Sequence, residues 1–375
     1  MILTSYGVVR SDQELLSKKR WCAVIIDEAQ NIKNADAGQT KAVKKLKSNI
    51  RIAMSGTPVE NRLSEYWSIF DFIYKGYMGN LKKFTKEYAY PIEVNRNKQR
   101  LDRFLKITAP FILRRLKSDK SIISDLPDKI ENDYMATLVK EQGALYQGVL
   151  NTVMTDIEGI DPDGKEAGIQ RRGMVLKLIM ALKQVCNHPS QYLKKSDVSP
   201  DLSGKAGMLL DMLDNILENN EKVLIFTQFR EMGLILQEMI RNRFGIDSMF
   251  LHGGTSRKNR DEMVERFQNN AREKIFLLSI KAGGTGLNLT AASHVIHYDL
   301  WWNPAVEVQA TDRVYRIGQN KNVMVYRLIT QGTFEEKINA MLAEKKELAD
   351  LTVSTGEKWV GELSNRDLKA LFSIQ

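Results

Sequence analysis

Val223-Leu-Ile-Phe-Thr227 is a short, uninterrupted apolar run between polar flanks, and it reads as a buried strand. Helical spacing follows at 230–243. Further apolar strands fit 248–251, 275–279, 294–298 and 323–328, and helical stretches fit 206–218, 256–269, 304–313 and 334–349. Strand and helix alternate throughout, which predicts an α/β fold: a parallel sheet with crossover helices.

Toward the N-terminus the same signal appears twice. Cys22-Ala-Val-Ile-Ile-Asp27 reads as a buried parallel strand with an acid at its carboxyl end. Ile50-Arg-Ile-Ala-Met54 reads as a second strand entering the turn Ser55-Gly-Thr-Pro58. The basic run between them, Lys41 to Lys47, reads as the wet face of a helix. Residues 62–150 change to helical spacing, and the aromatic stripe Glu65 to Tyr74 reads as helical core. An exposed loop is expected over 156–173, a helix over 174–186 and a polar joint near 194–204.

The chain has 375 residues, 43% of them hydrophobic, enough for two domains. No apolar run is long enough for a membrane span and no basic leader opens the chain. Two distant cysteines, Cys22 and Cys186, form no disulfide framework and suit a reducing compartment. The four histidines show no zinc spacing, and Cys186-Asn-His188 reads as structural. A formal net charge of +9 favours a polyanionic partner.

Five stretches carry candidate chemistry. Asp27 and Glu28 end a strand, where one acid can hold a hydrated Mg²⁺ and a second can orient an attacking water. Ser55, Gly56 and Thr57 end the next, with small side chains that allow close backbone approach. The glycine-rich run Ser279-Ile-Lys281-Ala-Gly-Gly284-Thr285-Gly286 suits phosphate approach, or contact of Ser279, Lys281 and Thr285 with a nucleic-acid backbone. His252-Gly253-Gly-Thr-Ser256 is a similar loop, with His252 expected to make a hydrogen bond rather than act as a base. Finally, Gln309-Ala-Thr-Asp312-Arg313-Val-Tyr-Arg316 places two arginines three apart, on one face if the segment is helical.

In this order the stretches at 27–30, 55–58, 223–229, 279–288 and 309–319 resemble motifs II to VI of superfamily 2 helicase-like ATPases. Phe111-Ile-Leu-Arg-Arg115 with Leu126-Pro127, Gln184-Val-Cys-Asn-His-Pro189 and Trp301-Trp-Asn-Pro-Ala-Val-Glu307 narrow the resemblance to the SWI/SNF-like branch of DNA translocases. It spans roughly residues 3–350 and speaks against a strand-separating or RNA helicase. The resemblance implies two RecA-like lobes: an incomplete first lobe at 1–75, helical insertions and a linker at 76–204, a second lobe at 205–350 and an extension at 351–375.

It further implies ATP as substrate, Mg²⁺ on Asp27, and water positioning by Glu28. Gln30 with Ser55, Gly56 and Thr57 would couple nucleotide state to lobe closure. Arg313 and Arg316 would act as arginine fingers, with Gln309, Asp312, Gly284 and Gly286 lining the nucleotide side. Thr4, His252, Gly253, Ser279, Lys281, Thr285 and Trp301 would contact DNA. The implied partners are duplex DNA and RNA polymerase or another DNA-bound protein, with no membrane and a monomeric state. The implied location is the bacterial cytoplasm and nucleoid or the eukaryotic nucleus.

The GxxxxGK[ST] phosphate loop is not in the sequence: Gly164-Lys165 and Gly204-Lys205 are followed by Glu166 and Ala206. The expectation is therefore the carboxyl-terminal part of a longer ATPase, with an exposed apolar sheet edge and poor turnover by itself. The alternative is a non-catalytic DNA- or protein-binding module derived from such a motor.

Overall fold

A computed structural model describes residues 1–56, 63–95, 97–113, 115, 117, 126–160, 167–280, 286–348 and 363–374. The chain forms two compact units, one built on Met1–Arg114, the second on Arg115–Leu342 together with the carboxyl-terminal helix. The division falls inside the 76–204 stretch.

In the first unit, helices α1 (Tyr6–Ser11) and α2 (Gln13–Lys18) lead into β1 (Arg20–Ile26). Helix α3 (Gly38–Lys45) crosses to β2 (Lys47–Ala53), which pairs with β1 in parallel, Ile26 beside Ala53. Ile26, Ala29, Ile32, Val43, Leu46 and Phe72 form the core on one side. The strand expected at 22–27 exists and is parallel, but it is not buried on both faces. Ile25, Ile50 and Ile52 are 57%, 52% and 45% exposed, so among the described residues an apolar face of this strand pair is open. The other face is held by Arg51, whose guanidinium donates to the carbonyls of Phe72 and Leu46 at 2.9 and 2.6 Å. Lys44, from the basic run, pairs with Asp71 at 2.9 Å. The aromatic stripe is core on α4 (Leu63–Ile73) through Trp67, Phe70 and Phe72, while Tyr74 lies past the helix and is 60% exposed. The helix packs with α5 (Leu81–Phe84), α6 (Tyr90–Glu93) and α7 (Lys98–Thr108) through Trp67, Phe84, Tyr88 and Phe104.

The second unit holds a six-stranded, all-parallel sheet in the order β3-β8-β7-β4-β6-β5. Its strands are β3 (Lys129–Ala136), β4 (Val223–Thr227), β5 (Met249–Leu251), β6 (Ile275–Ser279), β7 (His294–His297) and β8 (Val323–Thr330). Five of the six lie where the apolar runs place them. Their side chains alternate between two cores: Leu224, Phe226, Phe276 and Leu278 point into one, Val223, Ile225, Ile275 and Leu277 into the other. A sheet covered on both faces needs apolar residues at every position, which is why these strands read as continuous runs. Strand β3 falls in the stretch read as helical. Its sequence, Lys-Ile-Glu-Asn-Asp-Tyr-Met-Ala, carries no apolar run because it is an edge strand, and it is fixed by register pairing with β8 along its whole length.

Helices α8 (Lys140–Glu158), α9 (Ala167–Asn187) and α10 (Pro189–Leu193) precede the sheet's central crossovers. The loop expected at 156–173 is shorter than its polar sequence suggests, because α8 runs to Glu158 and α9 begins at Ala167. The crossovers are α11 (Gly204–Glu218), α12 (Arg230–Phe244), α13 (Arg257–Asn269) and α14 (Pro304–Thr311). Helices α15 (Phe334–Leu348) and α16 (Asn365–Phe372) close the unit, with Phe334 and Phe372 packed against Tyr146 of α8. No helix among the described residues is long and apolar enough to cross a membrane.

Gly204 and Lys205, half of a phosphate-loop signature in sequence, serve packing. The Lys205 ammonium is buried 2.7 Å from Glu335 Oε2, so it is engaged inside the fold. A Cβ on Gly204 would lie 1.9 Å from the Thr137 carbonyl oxygen, whereas one on Gly207 meets nothing within 4 Å. We therefore expect Gly204→Ala to destabilise by about 1–3 kcal/mol in urea unfolding. Gly207→Ala should be neutral or stabilise by up to about 1 kcal/mol. Equal effects would contradict the close backbone approach.

Candidate nucleotide and nucleic-acid site

In the first unit the candidate acids leave the carboxyl end of β1. The strand ends are stitched together: Met54 N donates to Ile26 O at 2.8 Å and Ala29 N to Met54 O at 2.9 Å. This forces the chain through Glu28 in the left-handed region, at φ 51°. That conformation costs a non-glycine residue on the order of 1 kcal/mol and marks a position held by its surroundings. Asp27 is exposed, and its Oδ1 accepts the Glu28 amide at 2.8 Å. Tyr6 donates its hydroxyl to the Asp27 carbonyl at 2.6 Å. Burial, and then the nearby Asp27 and Glu28 charges, push its phenol up to about 12.

The side chains expected to couple the two strands do meet. Ser55 Oγ donates to Gln30 Oε1 at 2.8 Å, and Gln30 Nε2 donates to Glu28 Oε2 at 2.6 Å. One amide thus links the turn after β2 to the second acid after β1. Gly56 is exposed in open space, and Thr57 lies outside the described residues. Among the described residues no group of three or more His, Cys, Asp or Glu could cage a metal. A single exposed carboxylate fits an ion such as Mg²⁺, which keeps water and substrate oxygens as its other ligands.

In the second unit the site is built on the carboxyl edge of the sheet. Asp299, just past β7, is fully buried and accepts from Thr227 Oγ1 at 2.5 Å, Gln228 N at 2.8 Å and Asn187 Nδ2 at 3.1 Å. Leu300 O accepts from Lys183 Nζ and Gln228 Nε2, each at 2.7 Å. Trp301 N donates to Glu307 Oε1 at 2.6 Å, and Glu307 Oε2 accepts from Arg327 Nε at 3.1 Å. Burial pushes the Glu307 carboxyl up to about 7, against the pull of Arg327. Asn303 caps α14 by accepting Ala305 N at 3.0 Å. Trp301 is half-buried, whereas Trp302 is buried in the helical core beneath Lys183. The stretch at 184–189 is structural, as its residues suggest: Gln142 Nε2 donates to the Val185 and Cys186 carbonyls, and His188 caps α10.

The two arginines do not share a helical face. Helix α14 ends at Thr311, and the chain turns so that Val314 and Tyr315 enter the core. Arg313 is consequently buried and Arg316 exposed. This arginine loop clasps the end of the glycine-rich run. Leu289 N donates to Arg313 O at 3.0 Å, and Gln319 Nε2 donates to the Thr290 and Ala292 carbonyls at 3.1 and 2.8 Å. Gly286 (φ 60°) opens that segment; Lys281, Gly284 and Thr285 lie outside the described residues. Gln309 is half-buried on α14, Asp312 pairs with Lys117 at 3.0 Å, and Ser279 is buried at the end of β6. Thr4 and Gly253 are exposed, and His252 Nδ1 accepts Gly254 N at 3.1 Å, making it a turn element.

Asp299 and Lys117 were not singled out by sequence, and Glu307 and Tyr6 lay inside motif-like stretches without roles of their own. Asp299 carries the same signal as Asp27, an acid just past an apolar strand, and that signal could have found it. The others depend on long-range partners that spacing does not reveal.

Comparison with known proteins identifies the family. A family profile described as SNF2-related domain matches residues 1–191, and one described as helicase conserved C-terminal domain matches residues 205–318. YwqA of Bacillus subtilis (strain 168), by name an ATP-dependent helicase/translocase, is 45% identical over 376 residues, covering 100% of this chain and 40% of its own length. MOT1 of Saccharomyces cerevisiae, a TATA-binding protein-associated factor, is 32% identical over 429 residues, covering 99% of this chain and 22% of its own. The Sulfolobus solfataricus SWI2/SNF2 ATPase core in complex with dsDNA matches with a TM-score of 0.59 at 41% identity, covering 100% of this chain and 77% of that one. The chain thus spans well under half of the curated relatives described here. Its α/β fold matches the RecA-like lobes of such a core.

Two outcomes test the second-unit site. Asp299→Ala orphans three donors and should cost at least about 3 kcal/mol in chemical unfolding, with Asp299→Asn costing less. His297 is buried with Nε2 3.0 Å from Thr311 Oγ1, and burial holds its pKa down at about 3. Below its ordinary 6.5 the unfolded chain takes up a proton that the fold refuses. Its stabilising share is therefore full above pH 6.5 and lost as pH falls toward 3. His297→Gln should flatten the fall of stability across that window, read by urea midpoints at several pH values.

Proposed function

We propose that this chain, which belongs to the SNF2-related family of superfamily 2 helicase-like ATPases, is the part of an ATP-driven motor that moves on duplex DNA and remodels protein–DNA complexes. The observation that carries this reading is the Ser55–Gln30–Glu28 relay. It gives one acid after β1 a direct hydrogen-bonded link to the turn after β2. A carboxylate held this way can orient a water for attack on a phosphoryl group, and the exposed Asp27 would hold Mg²⁺. Magnesium, when bound, would neutralise phosphate charge. Gln30 then ties the water-orienting acid to the loop at 55–56, so a shift in one is felt by the other.

Arg313 and Arg316 would supply positive charge from a loop fastened to the segment that follows the glycine-rich run, as arginine-assisted phosphoryl transfer would use. Trp301 and the 252–254 turn are proposed to meet the DNA backbone, and Thr4 is a separate candidate in the first unit; Ser279, buried at the end of β6, is not placed to do so. Duplex DNA is favoured by the net charge of +9 and by the dsDNA-bound Sulfolobus relative. The TATA-binding protein-associated relative supports a DNA-bound protein as the remodelled target. The nucleoid or nucleus is the corresponding location.

These 375 residues contain no GxxxxGK[ST] segment to cradle β- and γ-phosphates. Turnover by this chain alone is therefore expected near background, and Glu28→Gln should leave that background unchanged in a phosphate-release assay with duplex DNA. The binding module reading draws on the same fact together with the complete six-stranded sheet of the second unit. Equilibrium binding to duplex DNA, single-stranded DNA and RNA across a salt series tests the duplex assignment. Tightest binding to the duplex, weakening steeply with salt, is expected. Equal affinity for all three would overturn it.

A further inference from the structure

We infer that Lys117 is a positioning residue for the arginine loop, an inference that rests on the proposed role of Arg313 and Arg316. Its ammonium lies 3.0 Å from Asp312 Oδ1 and donates to the Tyr315 carbonyl at 3.1 Å. Those two partners flank Arg313 on either side. One cation therefore closes the turn around the buried arginine.

The chemistry suits lysine. An ammonium has three donors free to point at a carboxylate and a carbonyl at once. Lys117 also restores the positive charge that Asp312 subtracts from a loop meant to meet phosphate. Further ties on this loop, from Leu289, Leu287 and the Thr290–Ala292 carbonyls, come from the segment that follows the glycine-rich run. Lys117 comes from a different part of the chain. It stands two residues past Arg115, where the second unit begins, beside the branch-specific stretch Phe111–Arg115. The arginine loop is thus tied to a residue just past the boundary at which the second unit begins.

Both side chains are about one-third exposed, 38% for Lys117 and 34% for Asp312, so the tie is adjustable rather than locked. Hydrogen exchange on the full chain, with peptides covering 312–319, tests the tie without nucleotide. Lys117→Ala and Asp312→Asn should each speed exchange there by roughly two- to five-fold, the scale of a partly exposed ion pair. The double variant should add little to either, Lys117→Arg should recover most of the protection, and 1 M salt should bring the wild type toward Lys117→Ala. Exchange in β4 and β6 should stay as in the wild type.

Unchanged exchange at 312–319, additive single effects, no recovery by arginine, or loss of protection across the whole sheet would each overturn the positioning role. This readout does not depend on catalysis. A failure of the arginines to act on phosphate would therefore show separately, in hydrolysis.

Discussion

The second unit is organised around one buried carboxylate. Asp299 sits without solvent at the carboxyl edge of the sheet, where an unpartnered charge would be prohibitive. Three donors from three elements answer it: the end of β4, the amide that follows, and the last residue of α9. That requirement fixes where β7 stops and where the chain can go next. Leu300 is then held by Lys183 and Gln228, Trp301 by Glu307, and Glu307 by Arg327 on β8. Helix α14 is delivered at a set angle, and its last residue meets the neutral His297. The arginine loop begins one residue later. A charge placed for solvation reasons therefore positions cations proposed to work on phosphate.

The first unit shows the opposite condition. Its two strands pair in parallel and are stitched at their ends, which suffices to hold Glu28 in a strained conformation and to bring Gln30 to Ser55. One face of the pair carries Ile25, Ile50 and Ile52 without cover among the described residues. Parallel strands are stable when both faces are packed. The acids are thus positioned by local backbone bonds and one side-chain relay rather than by a deep core, and the second unit's site is held by burial.

Much of this was legible in the residues. Five strands of the second sheet announce themselves because double-sided burial leaves few polar positions, and the acid after β1 is marked by the same apolar run. Strand β3 was not legible: an edge strand can be polar, and its identity comes only from its pairing with β8. The arginines illustrate the limit of periodicity. Spacing of three is compatible with one helical face, but Val314 and Tyr315 between them are core residues, and burying them breaks the helix at Thr311. Lys205 shows the converse: a Gly-Lys pair that suggests phosphate in sequence is an internal ion pair in the fold.

In the proposed function, the Asp299-anchored edge carries the loop of Arg313 and Arg316 toward a phosphoryl group in a duplex-stimulated motor. The most direct test is duplex-stimulated ATP hydrolysis by the longest natural polypeptide carrying these residues, wild type against Arg313→Ala, with folding verified by circular dichroism. The account predicts a loss of at least about 10³-fold in kcat, the scale of an arginine acting on the transferred phosphoryl group. A folded Arg313→Ala protein that keeps wild-type stimulated turnover would contradict it.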